Sequence, residues 1–223
     1  MVAVLRRQFP RGTKVGHTGT LDPLATGLLV LLVGACTRLQ ARLQGFDKTY
    51  CGTIRLGVKT DTGDITGRTL AELPIPPLSL ERLGKELHAL EGTIETSAPA
   101  YSAVKHKGKA LYEYARAGAA IPVKPRTNTV RSWKALAWQA PELSHRLECS
   151  SGTYVRSLAE VLGDKLACGG TVSTLCREKV GPFDLADALS LDAVRALAPE
   201  ALGKILLESL PSLDRSLKAA PVG

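Results

Sequence analysis

A polar loop that runs straight into an apolar block limits the fold of this chain more than any other feature. Residues 14–39 read KVGHTGTLDPLATGLLVLLVGACTRL. The apolar run at 28–33 is continuous rather than alternating and too short to cross a bilayer, so it predicts a buried strand. Such a strand would hold the preceding loop, which carries one imidazole, His17, and one carboxylate, Asp22.

Further strands and helices follow from the pattern of the remaining segments. Ser79 and Glu81 open a segment in which leucines recur at helical spacing and which Gly92 ends, so an amphipathic helix is expected there. A Gly-Thr cap at 152–153 is expected to begin a second long helix. Strands are expected at 48–58, 127–138, 143–150 and 171–183, and two more helices at 35–45 and 191–210. This mixture predicts an α+β fold with a mixed, mostly antiparallel sheet flanked by helices.

The charge balance favours a polyanionic partner. The chain has 29 Lys and Arg against 21 Asp and Glu, a net charge of +8 and a pI of about 9.4. An excess of this sign is typical of nucleic-acid-binding proteins. The five cysteines are odd in number and form no C-x-x-C pair, which disfavours a disulfide framework or a zinc site and favours a cytoplasmic location. No signal-peptide pattern is visible at the start.

The string DTG at 61–63 leaves one alternative reaction class open. Aspartic proteases use this string in each half of a carboxylate dyad, but two copies must share the proton. The chain has a single copy, so it would have to dimerise to form a dyad. Asp, Thr and Gly are also ordinary turn residues. The string therefore fits a turn better than a protease site.

Five segments match one known family in order and spacing. They read KVGHTGTLDPLATGLL, DKTYCGTIRLGVKTDTGDITG, SAPAYSAVKHKGKALYEYARAG, CSSGTYVRSLAEVLG and STLCREKVGPF. Together they resemble the TruB family of pseudouridine synthases, isomerases that make pseudouridine 55 in the T loop of tRNA. The resemblance covers residues 14–183, and the LATG sequence after Pro23 is similar to that of the stand-alone bacterial type.

The resemblance implies a catalytic set and a pocket around it. Asp22 matches the family's catalytic aspartate, and Arg156 matches the arginine that pairs with it. Tyr50 matches the tyrosine that stacks on the target uracil and takes part in proton removal. The remaining matches are His17, which helps to hold the rearranged T loop, Tyr154 and Leu175, which line the uracil pocket, and Asp61, at the family's second acidic position.

Basic residues are expected to bind the RNA around this site. Lys48 lies two positions before Tyr50, and cations interleaved with aromatics suit a splayed base and its phosphate. Because the target lies inside a folded loop, it must be flipped out of the loop. An insertion at about 97–125 resembles the segment with which the family grips RNA. The expected phosphate contacts are Lys105, Lys107, Lys109, Arg116, Lys124 and Arg177.

The chemistry of the reaction explains these residue types. Isomerising uridine breaks the bond from C1′ to N1 and forms one from C1′ to C5, with no net change in atoms. A carboxylate at C1′ can act as nucleophile or as base, and an opposing arginine favours its ionised form. An aromatic floor and apolar walls would retain the detached uracil until a base removes the C5 proton. We expect no metal and no cofactor.

Both ends of the chain depart from the family pattern. The family begins with a strand and a KPxGxTS-like motif, whereas Met1 lies inside the segment that matches the following helix. We therefore expect either a start upstream of Met1 or a bare sheet edge. Residues 1–210 are expected to form the catalytic domain. Residues 211–223 resemble a connector to a C-terminal RNA-binding domain of the PUA type, whose absence would weaken tRNA affinity more than chemistry.

These expectations combine into one leading hypothesis and one alternative. The leading hypothesis is a cytoplasmic, monomeric tRNA pseudouridine synthase that acts on the T stem-loop without a membrane or an obligatory protein partner. The alternative is a non-catalytic protein that binds or folds tRNA and has lost activity through its short N-terminus. The first hypothesis predicts that the chain isomerises uridine and that Asp22→Asn does not. The second predicts that both bind tRNA and that neither shows turnover.

Overall fold

The computed structural model describes residues 1–99, 101–102, 105–106, 108–116 and 125–219. The chain forms two compact units. The larger unit contains residues 22–26 and 47–177, and the smaller unit contains residues 1–21, 27–46 and 178–223. Within the described residues, no helix is both long and apolar enough to span a membrane.

Strands and helices occur in mixed order along the chain. The strands are β1 Val15–His17, β2 Thr26–Gly27, β3 Leu31–Val33, β4 Lys48–Leu56, β5 Val58–Thr60, β6 Thr69–Glu72, β7 Gly92–Thr96, β8 Lys105–His106, β9 Lys109–Ala110, β10 Arg126–Gln139, β11 Glu142–Cys149, β12 Gly170–Val180 and β13 Phe183–Asp184. The helices are α1 Val2–Arg7, α2 Gln40–Gln44, α3 Leu80–His88, α4 Leu111–Arg116, α5 Val155–Lys165, α6 Leu191–Ala196 and α7 Pro199–Ala219. Short 3-10 turns lie at Gly34–Leu39 and Leu185–Asp187.

The larger unit is built on a sheet with the strand order β12-β4-β11-β10-β7. Strand β11 runs antiparallel to β4 and to β10, and β7 runs antiparallel to β10. The residues of β11 alternate between buried and more exposed, as expected for a strand with one face on a core. Gly52 lets β12 approach β4 closely, because a Cβ there would lie 2.2 Å from the carbonyl oxygen of Thr174. The sheet confirms the predicted fold class.

Helices α3 and α5 bury their apolar sides in the core of this unit. Leu83 and Leu87 of α3, and Leu158 and Leu162 of α5, are fully buried. Each such leucine contributes roughly 1.5–3 kcal/mol through burial. The Oγ of Ser79 accepts a hydrogen bond from the backbone N–H of Arg82 at 3.2 Å, so the predicted cap of α3 is present.

The cap predicted for α5 is wrong. The N-cap residue is Tyr154, and its side chain makes no capping hydrogen bond. The Thr153 hydroxyl lies 3.4 Å from that of Ser150 instead. The helix is held mainly by packing, since its buried residues extend from its first turn to its last. Its end lies against β12, because a Cβ on Gly163 would be 2.1 Å from the backbone nitrogen of Gly170.

The smaller unit contains the apolar run at residues 28–33. The buried strand predicted at 28–33 is shorter than expected, and only Leu31–Val33 forms β3. Gly27, the last residue of β2, has a φ of +99°, and residues 28–30 separate β2 from β3. Strand β3 pairs antiparallel with β1, which the sequence did not predict. Leu5, Val15 and Leu202 form the centre of the core of this unit.

Two other expectations are refined by the structure. The helix predicted at 191–210 is divided into α6 and α7, with Pro199 as the first residue of the second helix. Helix α7 continues to Ala219, so it crosses the boundary expected at residue 210. The assignment of 211–223 as a connector stays a prediction. The expected insertion contains the hairpin of β8 and β9 and the short helix α4.

Candidate active site

Asp22 and Arg156 form a bidentate ion pair in the larger unit. Arg156 Nε donates to Asp22 Oδ2 at 2.8 Å, and Arg156 Nη2 donates to Asp22 Oδ1 at 3.0 Å. The arginine side chain is 3% exposed, whereas that of Asp22 is 28% exposed. Two parallel charge-assisted hydrogen bonds fix both the position and the direction of the carboxylate. The pair predicted from the sequence is therefore assembled, with a partly exposed aspartate and a buried arginine.

Arg156 also binds two backbone carbonyls. Its Nη1 donates to Thr62 O at 2.8 Å, and its Nη2 donates to Tyr101 O at 3.2 Å. These bonds occupy donors that would otherwise be buried without partners, which would be costly. On the acid's side, the backbone N–H of Ala25 donates to Asp22 O at 2.8 Å and closes the turn that carries the carboxylate. Three segments distant in sequence thus meet at one guanidinium.

A second carboxylate, Asp64, supports the same arginine. Asp64 is 5% exposed, and its Oδ2 lies 3.9 Å from Arg156 Nη1. Its Oδ1 accepts hydrogen bonds from the hydroxyl of Thr62 at 3.0 Å and from the backbone N–H of Thr66 at 3.0 Å. Because these donors hold it in place, Asp64 can balance the charge of Arg156 without competing for the Nε and Nη2 donors that hold Asp22.

Gly63 lets the loop of Asp64 reach α5. Its φ is +72°, which favours glycine. A Cβ at this position would lie 3.2 Å from Arg156 Cβ and 2.8 Å from Glu160 Oε1. Burial raises the pKa of Glu160, and the neighbouring Asp164 adds to the rise. The loop and the first turns of α5 are therefore in close contact beside the ion pair.

Asp61, which matches the family's second acidic position, lies in the turn between β5 and β6, and its role stays a prediction. Its Oδ1 accepts a hydrogen bond from the backbone N–H of Arg68 at 2.9 Å, and its Oδ2 lies 4.0 Å from Arg68 Nε. These contacts stabilise the turn between β5 and β6. The acid that approaches Arg156 is Asp64, three residues later. The sequence offered two acids in DTGDITG, and their spacing alone did not indicate which one would turn inward.

Tyr50, Lys48 and Arg177 form a buried polar cluster on the neighbouring strands. Tyr50 and Lys48 lie on one face of β4, and they are 9% and 7% exposed. Arg177 of β12 is 3% exposed and donates a side-chain hydrogen bond to Tyr50. Burial raises the pKa of Tyr50 to about 12, although Arg177 opposes the rise. Burial and the charge of Arg177 lower the pKa of Lys48 to about 8.

The remaining predicted pocket residues belong to different strands and helices. Leu175 is 6% exposed, packs in the core with Tyr50, and accepts a hydrogen bond through its carbonyl from Thr26 at 3.4 Å. Tyr154 is partly buried at the start of α5. His17 is the last residue of β1 in the smaller unit, and its Nδ1 accepts from the backbone N–H of Gly19 at 3.3 Å. The roles assigned to these residues stay predictions.

The structure gives only part of the expected basic insertion. Lys105 and Lys109 lie in the strands β8 and β9, and Lys109 is exposed. Arg116 ends α4. Lys107 and Lys124 lie outside the described residues. The phosphate contacts expected there stay predictions. In the described part of the chain, no cluster of three or more His, Cys, Asp or Glu is arranged to hold a metal ion.

Comparison with known proteins identifies the family. A family model described as "TruB family pseudouridylate synthase (N terminal domain)" matches residues 6–155. The chain belongs to the TruB family. This confirms the family and the isomerase class that the five motifs predicted. The matched range contains Asp22, Tyr50 and Asp64 and ends one residue before Arg156.

Curated TruB relatives are similar over most of the chain. The tRNA pseudouridine synthase B of Endomicrobium trichonymphae is 45% identical, over 79% of this chain and 76% of that protein. The protein of the same name from Aromatoleum aromaticum is 45% identical, over 87% of this chain and 63% of that protein. The one from Opitutus terrae is 40% identical, over 96% of this chain and 89% of that protein. The chain thus spans less than two thirds of some relatives and most of others.

Solved structures show a similar fold. A Cbf5-Nop10-Gar1 complex contains a chain that is 26% identical with a TM-score of 0.57, over 77% of this chain and 41% of that chain. An archaeal box H/ACA sRNP Nop10-Cbf5 complex contains one that is 22% identical with a TM-score of 0.56, over 82% of this chain and 43% of that chain. The second likeness concerns the fold alone.

Proposed function

We propose that this chain converts a uridine of tRNA to pseudouridine, and that the target is uridine 55 of the T loop. The observation that carries the proposal is the bidentate pair of Asp22 with the buried Arg156. Family membership and the names of the relatives support the reaction and the tRNA substrate. The choice of position 55 rests on the resemblance of the motifs.

Asp22 acts at C1′ of the flipped uridine. The bond from C1′ to N1 breaks, and Asp22 either attacks C1′ as a nucleophile or removes a proton from the sugar as a base. Arg156 holds the carboxylate ionised and aimed by its two parallel hydrogen bonds, so little reorganisation is needed when the reaction starts. Since Asp22 is the more exposed member of the pair, substrate can reach it.

The detached uracil rotates and is then joined to C1′ through C5. If Asp22 acted as nucleophile, its bond to C1′ breaks in this step, and if it acted as base, it returns the proton to the sugar. Tyr50 supplies the aromatic surface on which it stacks, and Leu175 supplies an apolar wall. The C5 proton is lost and N1 takes up a proton, so atoms and charge balance. Because Arg177 donates to Tyr50, the phenolic oxygen accepts that bond and its own proton can point elsewhere. The pKa of Tyr50 near 12 favours the phenol at neutral pH.

Tritium release from a labelled T-arm transcript tests this proposal. With tritium at C5 of the target uridine, the parent is expected to release it, and Asp22→Asn is expected to release essentially none. Asp164→Asn is a matched control, because this acid is 61% exposed and pairs with Lys59 away from Asp22. Equal release by Asp22→Asn and the parent would disprove the role of Asp22.

Mapping the product tests the position and the alternative function. Primer extension after carbodiimide treatment should stop one nucleotide 3′ of residue 55, and a transcript with cytidine at residue 55 should give no product. If the parent binds the transcript tightly but releases no tritium, the non-catalytic tRNA-binding hypothesis is favoured. Product at another uridine would retain the reaction and overturn the assignment to position 55.

A further inference from the structure

A cavity in the smaller unit carries positive charge and has no role in the chemistry above. Its volume is about 490 Å³, which lies in the range of sites for small ligands. Two cations, Arg6 and Lys14, line it. The other lining residues are Gly12, Thr13, Val15, Gly16, Thr37 and Gln40, so it holds hydroxyl and amide groups and no carboxylate.

The chain around this cavity is basic and nearly free of acids. Residues 1–21 and 27–46 contain six Lys or Arg and no Asp or Glu. The acids of this unit all belong to residues 178–223, and none of them lines the cavity. A concave surface with charge of one sign concentrates ions of the opposite sign. The cavity is therefore suited to an anion.

The two cations are placed to bind such an anion. Arg6 is exposed, and its Nη2 donates a long hydrogen bond of 3.5 Å to Val15 O, so the guanidinium lies beside β1. The structure shows no ion pair of Arg6 or Lys14 with any acid that it describes. Phosphate is the anion that a guanidinium and an ammonium group bind together most readily.

We propose that this cavity binds a backbone phosphate of the substrate RNA. The inference rests on the proposed function, because it takes the RNA to be the substrate. Val15 and Gly16 belong to β1, the strand that ends at His17. Lys14 and His17 are three residues apart, or about 10 Å along an extended chain. RNA that contacts β1 would therefore have phosphates within reach of the cavity.

Salt-dependent binding of a T-arm RNA tests the proposal. Arg6→Gln and Lys14→Gln are each expected to weaken binding roughly fivefold at moderate salt. Each should also reduce the slope of log K against log salt by roughly 0.7–0.9, so the double variant should lose roughly 1.4–1.8. Single-turnover tritium release at saturating RNA should stay unchanged, because neither residue contacts the reacting atoms.

Arg38→Gln is the matched control. It distinguishes binding at the cavity from a general effect of removing one positive charge. Arg38 is exposed, belongs to the same basic segment and does not line the cavity. It should lose clearly less affinity than the cavity variants. Arg6→Lys keeps the positive charge and should therefore bind RNA more tightly than Arg6→Gln. Thermal melts of each variant identify loss of folding as a separate cause.

Several outcomes would overturn the proposal. They are an unchanged salt slope in the double variant, a loss in Arg38→Gln equal to that in Arg6→Gln, and competition by poly-glutamate as strong as that by RNA. If the parent binds RNA but forms no pseudouridine, the proposed function fails. The binding of a phosphate in the cavity is then still tested by the RNA affinities of the variants. If the parent binds no RNA, both proposals fail.

Discussion

Arg156 is the residue on which the geometry of the candidate site depends most. Its guanidinium group donates hydrogen bonds to Asp22 and to two backbone carbonyls, and it also forms an ion pair with Asp64. Lysine has neither the planar fork nor enough donors to make all of these contacts. The charge of residue 156 alone therefore cannot explain how the carboxylate is held. The direction of Asp22 depends on the shape of the guanidinium group.

Arg156→Lys should lower single-turnover tritium release by about 100-fold, because a small misplacement of a reacting group has effects of this size. RNA affinity should change little, since Arg156 is 3% exposed and is covered by the protein. Pre-steady-state measurements at saturating RNA separate the two quantities. A rate within threefold of the parent would show that charge suffices and that the bidentate geometry does not matter.

The sequence predicted the members of the pair but not its second carboxylate. Asp22 and Arg156 stand in segments that match a family, so their types and order were enough. Asp64 was missed because the choice between it and Asp61 depends on the left-handed turn at Gly63 and on contacts with a helix more than ninety residues away. Such contacts between distant segments leave no periodic signal in the sequence.

At the scale of elements, the loop between β5 and β6 and the helix α5 act together. Gly63 lies against Arg156 and Glu160, so the loop fixes the first turns of the helix from outside. This helps to explain how α5 is held without a side-chain cap at Tyr154. By contrast, α3 has both a serine cap and leucine periodicity, and the sequence predicted it correctly. Local signals identified α3, whereas the start of α5 is fixed by contacts between distant segments.

Gly63→Ala should reduce the free energy of unfolding by about 1–2 kcal/mol, because alanine tolerates a positive φ poorly. It should also lower tritium release under conditions where the protein stays folded, since the new Cβ presses on Arg156. Urea unfolding and single-turnover rates measure the two effects.

Gly84→Ala is the control for that substitution. Gly84 lies inside α3, and no described atom outside its own helical turns lies within 4 Å of the position that a Cβ would take there. Alanine at this position should therefore stabilise the protein by up to about 1 kcal/mol. Activity should be unaffected. If Gly63→Ala behaves like Gly84→Ala, the close contact between the loop and α5 has no energetic importance.

At the scale of the whole molecule, the core contains a buried histidine that links stability to pH. His145 is fully buried, and its Nδ1 accepts a hydrogen bond from Trp133 Nε1 at 3.2 Å. Burial lowers its pKa to about 4 from the usual 6.5. Between these values the unfolded chain binds a proton at this residue and the native protein does not. Acidification through this window therefore favours unfolding.

His145→Gln should remove that part of the pH dependence. The stability difference between the parent and the variant should shift against the parent by about 3 kcal/mol as the pH falls from 7 to 4. Urea unfolding at several pH values measures it. His88→Gln is the control, since the His88 side chain is 81% exposed. A constant difference between parent and His145→Gln across this range would contradict the prediction.

The bonds of Arg156 also bear on how the protein acquires activity. They join it to residues 134, 94 and 55 positions away, so the site exists only after three long loops have closed. Helices and hairpins can form earlier from local contacts. During refolding, recovery of catalysis should therefore lag behind recovery of secondary structure, which makes turnover a reporter of completed folding.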